Sequence, residues 1–378
     1  MKTKILQEKL QIALSQAEKI TGKDTTLPIL GNILLKAEKN FLAITATNLE
    51  TGILWKMMAK TDEDGAIVLP AQTLSGLVGS FSGGSVVIET QGMVATIISD
   101  RRKSNLNGLA AEEFPVLPIN IEGEYITMRA NVLCQALAQV VNFVSASSVK
   151  LEITGVYIVF SKDEVKVVAT DSFRLGEKTI LEQKTPKLVK NHPIIIPLRA
   201  AREIISIFGD KQKNINMFFT SNQITIDLSQ EDDLDQPQIK FVSRLIEGEF
   251  PDYQAIIPSS YATSVTFSKK ELLNHLKSAG FFVGKNNEVG LKIEPKNKIM
   301  EISSQSADLG GYASEVELKS VTGENLSVTF NYRFLAEGLN SIKDDECVFE
   351  FSGEDGPGVL KSTNDPSFVY IIMPIKKY

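Results

Sequence analysis

The chain is short of the residues on which most small-site chemistry is built. Its 378 residues include two cysteines, two histidines and one tryptophan. Cys134 and Cys347 lie far apart and each is embedded in apolar sequence, Val132-Leu133-Cys134 and Cys347-Val348-Phe349. Both therefore read as small core residues, not as halves of a disulfide framework. With His192 and His275 alone, no zinc-ligand spacing can be assembled, and no metal or other cofactor is expected. His275 falls in a helical pattern as a surface or packing residue, and His192 precedes Pro193 in an expected loop. Long apolar runs are missing too: nothing approaches the roughly 20 residues that span a bilayer. Residues 1–9 become an amphipathic pattern, not a secretory leader, so a soluble cytoplasmic protein with no membrane partner is expected.

Catalytic motifs are equally sparse. There is no Gly-x-Ser-x-Gly elbow, and Ser80-Phe81-Ser82-Gly83-Gly84 lacks the Gly-Lys-Ser/Thr of a phosphate loop, so it reads as a turn after a helix. Asp344-Asp345 reads as a surface turn, and the acidic run from Gln230 to Pro237 as a solvated loop tip. One cluster could serve an enzyme, a hydrolase using Asp171, Ser172 and Arg174, but neither histidine completes a triad with it.

What is present is an internal repeat. Gly31-Asn32-Ile33-Leu34-Leu35 with Phe41-Leu42-Ala43-Ile44, Gly155-Val156-Tyr157-Ile158-Val159 with Val165-Lys166-Val167-Val168, and Gly290-Leu291-Lys292-Ile293 with Ile299-Met300-Glu301-Ile302 form the same glycine-led strand pair. The spacing, roughly 125 to 135 residues, is far above the 20 to 50 of solenoid repeats and is the size of a domain. Ile67-Val68-Leu69-Pro70 and Ile194-Ile195-Ile196-Pro197 recur at nearly the same pitch, each before a helical pattern, Thr73 to Phe81 and Ala200 to Phe208. The proline would start the helix by its fixed φ. Val328-Thr329-Phe330-Asn331 fills the slot in the last third, with Asn331 as an N-cap. Glu113-Phe114-Pro115 and Glu249-Phe250-Pro251 close the first two thirds.

Each third opens on an apolar stripe at helical spacing: Leu6, Leu10, Ala13, Leu14 and Ala17; Leu133, Leu137, Val140 and Val141; Leu272, Leu276 and Ala279. Hairpin pairs such as residues 85–89 with 94–98, and 215–219 with 224–228, follow. The expectation is an α+β protein of three similar domains, 1–122, 123–259 and 260–378, each with two helices and about eight antiparallel strands in layers. Short turn-like linkers join them.

Thr26-Leu27-Pro28-Ile29-Leu30-Gly31-Asn32, Thr45-Ala46-Thr47-Asn48-Leu49-Glu50, Val168-Ala169-Thr170-Asp171-Ser172-Phe173-Arg174-Leu175, Gly248-Glu249-Phe250-Pro251-Asp252-Tyr253 and Ile372-Met373-Pro374-Ile375 together resemble the bacterial DNA polymerase III β subunit, the sliding-clamp family. The resemblance spans essentially the whole chain. It implies three domains of the DNA-clamp fold forming half of a ring, and a head-to-tail homodimer that encircles duplex DNA without sequence preference. It also implies a non-catalytic processivity role, tethering the replicative polymerase, the clamp loader and other proteins that carry clamp-binding peptides. A three-domain peptide-binding scaffold without DNA encirclement is the alternative.

A net charge of −6 fits such a clamp only if positive charge is segregated onto helices facing the hole, because phosphates are met by Lys and Arg. The resemblance suggests Lys9, Lys19, Lys23, Lys150, Arg199, Arg202, Lys270 and Lys277 for that face. Asp24 and Gln72 stand where the family often carries basic residues. For a peptide groove it suggests Ile153, Thr170, Ser172, Phe173, Arg174 and Leu175 from the middle domain. Pro251, Ala255, Ile256, Asn331 and Phe334 would join them, with Ile371, Ile372, Met373, Pro374 and Ile375 from the tail. Ser172-Phe173, Ala255 and Phe334 depart from the family's Gly-His, Arg and Tyr. For ring closure it pairs Ser104 and Leu106 with Phe282 and Val283 of a second copy.

Overall fold

A computed structural model describes residues 1–22, 27–122, 125–181, 191–228 and 238–376. Lys23, Asp24 and the acidic run 230–237 lie outside the described residues. Six α-helices are present among the described residues: α1 (Gln7–Ile20), α2 (Ala71–Gly79), α3 (Ala130–Val140), α4 (Leu198–Phe208), α5 (Lys269–Ala279) and α6 (Tyr332–Ser341). They fall two to a third, as the apolar stripes required. Leu10, Ala13, Leu14 and Ala17 are buried along α1, but Leu6 is not on the helix. It ends the strand Lys2–Leu6 in extended backbone, φ −68° and ψ 132°, and is exposed.

The proline landmarks also act differently from a first-turn proline. Pro70, with ψ 117°, ends the strand Gly65–Pro70 opposite Asn32 and stands in the N-cap position of α2. Its ring fixes φ but its ψ remains that of a strand. Pro197 likewise ends the strand His192–Pro197, immediately before α4. His192 is thus the first residue of a strand, not of a loop, because the apolar run after it pairs along Gly155–Phe160. Asn331 does cap α6, its side chain accepting from the backbone N–H groups of Arg333 and Phe334.

By internal contacts the chain divides into two compact units, and it passes from the first to the second within α3. The first contains Met1–Cys134 and Arg199–Leu245, the second Gln135–Lys184, Lys190–Leu198 and Ile246–Tyr378. In the first, a five-stranded antiparallel sheet runs in the order Lys60–Glu63, Lys2–Leu6, Ser85–Gln91, Val94–Ser99, Arg102–Asn107. An eight-stranded sheet joins strands of the first and middle thirds through one pairing, Gln238–Arg244 against Thr51–Met58, with Ser243 opposite Thr51 and Val242 opposite Gly52. Helix α1 packs on α2 and on the strand Phe41–Thr47, which closes a core around Leu10, Leu14, Ile44 and Leu74.

The second unit repeats the plan. Its nine-stranded antiparallel sheet is joined by Arg174–Ile180 against Phe368–Ile372, with Arg174 opposite Ile372 and Leu175 opposite Ile371. Its four-stranded sheet runs Gly310–Glu317, Ile299–Ser306, Glu288–Glu294, Leu326–Asn331, and α5 packs on α6 and on the first two of these. Cys134 and Cys347 are buried, and burial pushes their thiols up to about 12 and about 11.

Candidate functional site

The site forms around one turn of the second unit, residues 170–174. Thr170 Oγ1 donates to the Arg174 carbonyl at 2.7 Å and accepts from the Ser172 N–H at 3.1 Å. Asp171 Oδ1 accepts from the N–H groups of Phe173 and Arg174, each at 3.0 Å. That closure holds Ser172 in the left-handed region, φ 76°, a conformation non-glycine residues adopt at a cost. It also projects Phe173 outward, where it is 62% exposed.

Arg174 turns the other way and is 9% exposed. Its Nε meets Asp171 Oδ2 at 3.0 Å, its Nη1 meets Glu337 Oε2 at 2.6 Å, and its Nη2 donates to the Asn142 carbonyl at 3.2 Å. The guanidinium also lies over the Phe334 ring at 4.2 Å and near Phe143 at 5.3 Å. A planar donor fork is suited to tying two carboxylates, a carbonyl and an aromatic face at once. Asp171 is committed to the turn and to Arg174, so it offers no free base for Ser172. The hydrolase alternative loses its chemistry on that ground.

The tail runs alongside. Met373 N–H donates to the Phe173 carbonyl at 2.9 Å, and Ile375 N–H to the Thr329 carbonyl at 2.8 Å. Met373 is 36% exposed, and Pro251, Ala255 and Ile256 are exposed on the segment that Tyr253 anchors. Tyr253 packs in a core cluster with Val168, Leu175, Val359 and Ile371, and its hydroxyl donates to Glu177 at 2.6 Å. Burial, reinforced by Glu177, holds that phenol above its ordinary range. Phe250 stacks on Tyr157, the ring centroids 4.5 Å apart. Phe334, Asn331, Pro374 and Ile375 are half-buried.

Six of the expected groove residues are buried: Thr170 and Arg174 within the turn itself, and four apolar residues behind it. Ile153, Leu175, Ile371 and Ile372 are buried behind it and support the surface without forming it, because they occupy inward-facing or turn-packed positions. Residue types alone did not point to Glu337, Asn142 or Tyr370. Tyr370 is fully buried and donates to the Phe334 carbonyl at 2.7 Å. The available signal was helical spacing: Glu337 follows Phe334 by one turn of α6.

The basic residues divide. Lys9, Lys19, Lys150, Arg202, Lys270 and Lys277 are exposed, with Lys270 and Lys277 on α5 and Lys9 and Lys19 on α1. Lys19 Nζ donates to Ser206 at 3.0 Å. Arg199 is occupied: Nε meets Glu203 at 2.8 Å, and Nη2 donates to the carbonyls of Lys19 and Ile20 at the end of α1. It acts as a clasp at a helix C-terminus, where cations are favoured, more than as an open cation.

Ser104 and Leu106 lie on Arg102–Asn107, the edge strand of the five-stranded sheet, whose only partner among the described residues is Val94–Ser99. In the second unit, Phe282 ends a short 3-10 turn after α5 and stacks near Tyr312, with centroids 6.4 Å apart. Tyr312 belongs to Gly310–Glu317, the edge strand of the four-stranded sheet, and accepts or donates a hydrogen bond with His275 at 3.0 Å. Phe281 beside it is exposed.

Paired layers of helix and antiparallel sheet, repeated, with open edge strands and an apolar surface beside a buried arginine, define a modular binding protein. Three family models match in succession: the N-terminal domain of the DNA polymerase III β subunit over residues 1–118, the central domain over 127–252 and the C-terminal domain over 254–376. The chain belongs to the DNA polymerase III β subunit family, the β sliding clamps. It is 29% identical to the β sliding clamp of Staphylococcus epidermidis over 375 residues, covering 97% of this chain and 96% of that one. To the Staphylococcus aureus protein it is 28% identical over 374 residues, with the same coverage. Among solved structures, the DNA polymerase sliding clamp of Bacillus subtilis superposes with a TM-score of 0.91 at 27% identity, covering both chains fully. The β subunit from DNA polymerase of Streptococcus pyogenes does so with a TM-score of 0.92 at 22% identity, again with full coverage. The fold is thus the three-domain α+β clamp fold.

Proposed function

We propose that this protein, a non-catalytic processivity factor of DNA replication, acts as a cytoplasmic homodimer. Two copies close head to tail into a ring around duplex DNA. The observation that carries this reading is a pair of open sheet edges, one per unit: Ser104 and Leu106 lie on the first, and Phe282, with Val283 next to it, stacks near Tyr312 of the second. An unpaired edge strand is a template for another strand, and apolar side chains beside it give the pairing a dry seam. Domains bounded at 1–122, 123–259 and 260–378 would then make a six-domain ring. Exposed lysines on α1 and α5, with Lys150 and Arg202, would face the phosphates through weak, salt-screened contacts suited to sliding.

The surface around Phe173, Met373, Pro251 and Ile256 takes extended peptides with apolar anchors from the polymerase, the clamp loader and other partners. Anchors of that kind need an apolar trough with few polar groups. Loading onto nicked circular and linear duplexes tests encirclement. Retention on the circle with rapid loss from free linear ends is expected, and equal loss from both would overturn the ring. Competition by a Gln-x-x-Leu-Phe peptide, abolished by Met373→Asp, tests the groove.

A further inference from the structure

The turn that organises the groove has a twin in the first unit. Thr47 Oγ1 donates to the Thr51 carbonyl at 2.9 Å and accepts from the Leu49 N–H at 3.0 Å. Asn48 Oδ1 accepts from the N–H groups of Glu50 and Thr51 at 2.9 and 2.7 Å. Leu49 has φ 72°, as Ser172 has 76°. The strand register repeats as well: Thr51 lies opposite Ser243 where Arg174 lies opposite Ile372. Asn48 stands for Asp171, and Thr51 for Arg174, so a short hydroxyl side chain replaces the guanidinium that fills the second unit's turn.

A cavity of about 400 Å³ lies against this turn, lined by Leu49, Glu50, Leu117, Pro118, Val242 and Arg244 among others. That volume is within the range of roughly 300 to 1,000 Å³ typical of ligand pockets. Its wall is firmly held. Gln223 Nε2 donates to the Pro118 carbonyl at 2.7 Å, and Leu117 lies so close over Gly52 that a Cβ there would come within 2.3 Å of its methyl. At the mouth, Leu49 is 48% and Val116 92% exposed, apolar side chains left open to solvent among the described residues. The lining carries one cation and one anion, Arg244 and Glu50, both exposed, and neither is in an ion pair among the described residues.

We propose that this pocket is a second peptide site. Its occupant is an extended segment with an apolar anchor flanked by an acidic residue, which meets Arg244, and a basic residue, which meets Glu50. The ligand class rests on the groove reading above, while the charge pattern is set by this pocket alone. A partner bearing two such segments could engage one chain at both places and gain from high local concentration.

Isothermal titration of the full chain with the acetylated, amidated hexapeptide Lys-Gln-Leu-Leu-Phe-Asp tests it. Two sites per chain are expected, with Met373→Asp leaving one. In the Met373→Asp background, Arg244→Glu should weaken the remaining site about tenfold, and the neutral peptide Gln-Gln-Leu-Leu-Phe-Asn should bind it several-fold more weakly than the charged one. Val116→Asp, at a residue exposed enough to spare the fold, should weaken it too. A single site abolished by Met373→Asp would overturn this inference and leave the groove standing. A single site that survives Met373→Asp and weakens with Arg244→Glu would support this pocket and overturn the groove. A residual site indifferent to Arg244→Glu, Val116→Asp and peptide charge would overturn the proposal, and absence of any binding would overturn both readings.

Discussion

Arg174 concentrates more interactions than any other residue of the candidate site, and each depends on its fork. Two carboxylates, a carbonyl and an aromatic face converge on one largely buried guanidinium. Removing one partner of such a pair strands the others, a loss of about 3 kcal/mol when burial is substantial; the half-exposed Glu337 softens it. Arg174→Ala should lower the urea midpoint by an amount corresponding to about 2–3 kcal/mol, and Arg174→Lys should recover little of it, because an ammonium cannot serve both carboxylates in plane. Glu203 makes the opposite case. Burial raises its carboxyl above the usual range, although the hydrogen bond from Arg199 pulls the other way. A raised folded-state value means that the charged form is disfavoured by folding, so stability falls as pH rises through that value. Glu203→Gln should therefore unfold at higher urea than the parent at pH 7, with the advantage vanishing below about pH 4, where the unfolded carboxyl is also protonated. An advantage independent of pH would refute the assignment.

At the scale of the element, two glycines on equivalent second helices make a matched test. Gly338 in α6 lies under the ring of Tyr370, where a Cβ would come within 2.2 Å of a ring carbon. Gly76 in α2 is exposed, and a Cβ there meets nothing within 4 Å. Helix propensity favours alanine at both. Gly338→Ala should nonetheless destabilise by about 1–3 kcal/mol through overpacking, while Gly76→Ala should stabilise by roughly 0.4–1 kcal/mol; thermal melts of the two variants check both signs. The same contrast marks what could be read in the sequence. The helix faces, the hairpins and the Asn331 cap were legible because they are local periodicities or a capping residue next to its helix. The Gly338–Tyr370 contact was not, nor was the pairing of Gln238–Arg244 with Thr51–Met58. Apolar alternation says that a strand has a buried face but does not name its neighbour across a hundred or more residues. At the candidate site the motif marked the turn from Thr170 to Arg174, whereas for Glu337 only its spacing of one helical turn from Phe334 was there to be read, since residue type alone does not tie a helix glutamate to a distant arginine.

At the scale of the whole molecule, a chain with net charge −6 is proposed to hold a polyanion, and the two facts are reconciled by separating topology from attraction. A closed ring needs no affinity to stay on a circle, so its electrostatic contacts serve only to centre the duplex. Lys270 and Lys277 are exposed on one face of α5, away from its buried Leu272 and Leu276, while the Ser268 cap fixes where the helix begins. If both meet phosphates, each neutralised contact contributes about 0.9 to the slope of log affinity against log salt concentration. The Lys270→Gln/Lys277→Gln variant should then bind short linear duplexes with a slope shallower by roughly 2, measured by fluorescence anisotropy across a salt series. The same variant, once loaded, should remain on closed circular DNA as long as the parent. A loss of circular retention in parallel with the loss of slope would mean that charge, not closure, keeps the protein on DNA; an unchanged slope would place these lysines away from the duplex.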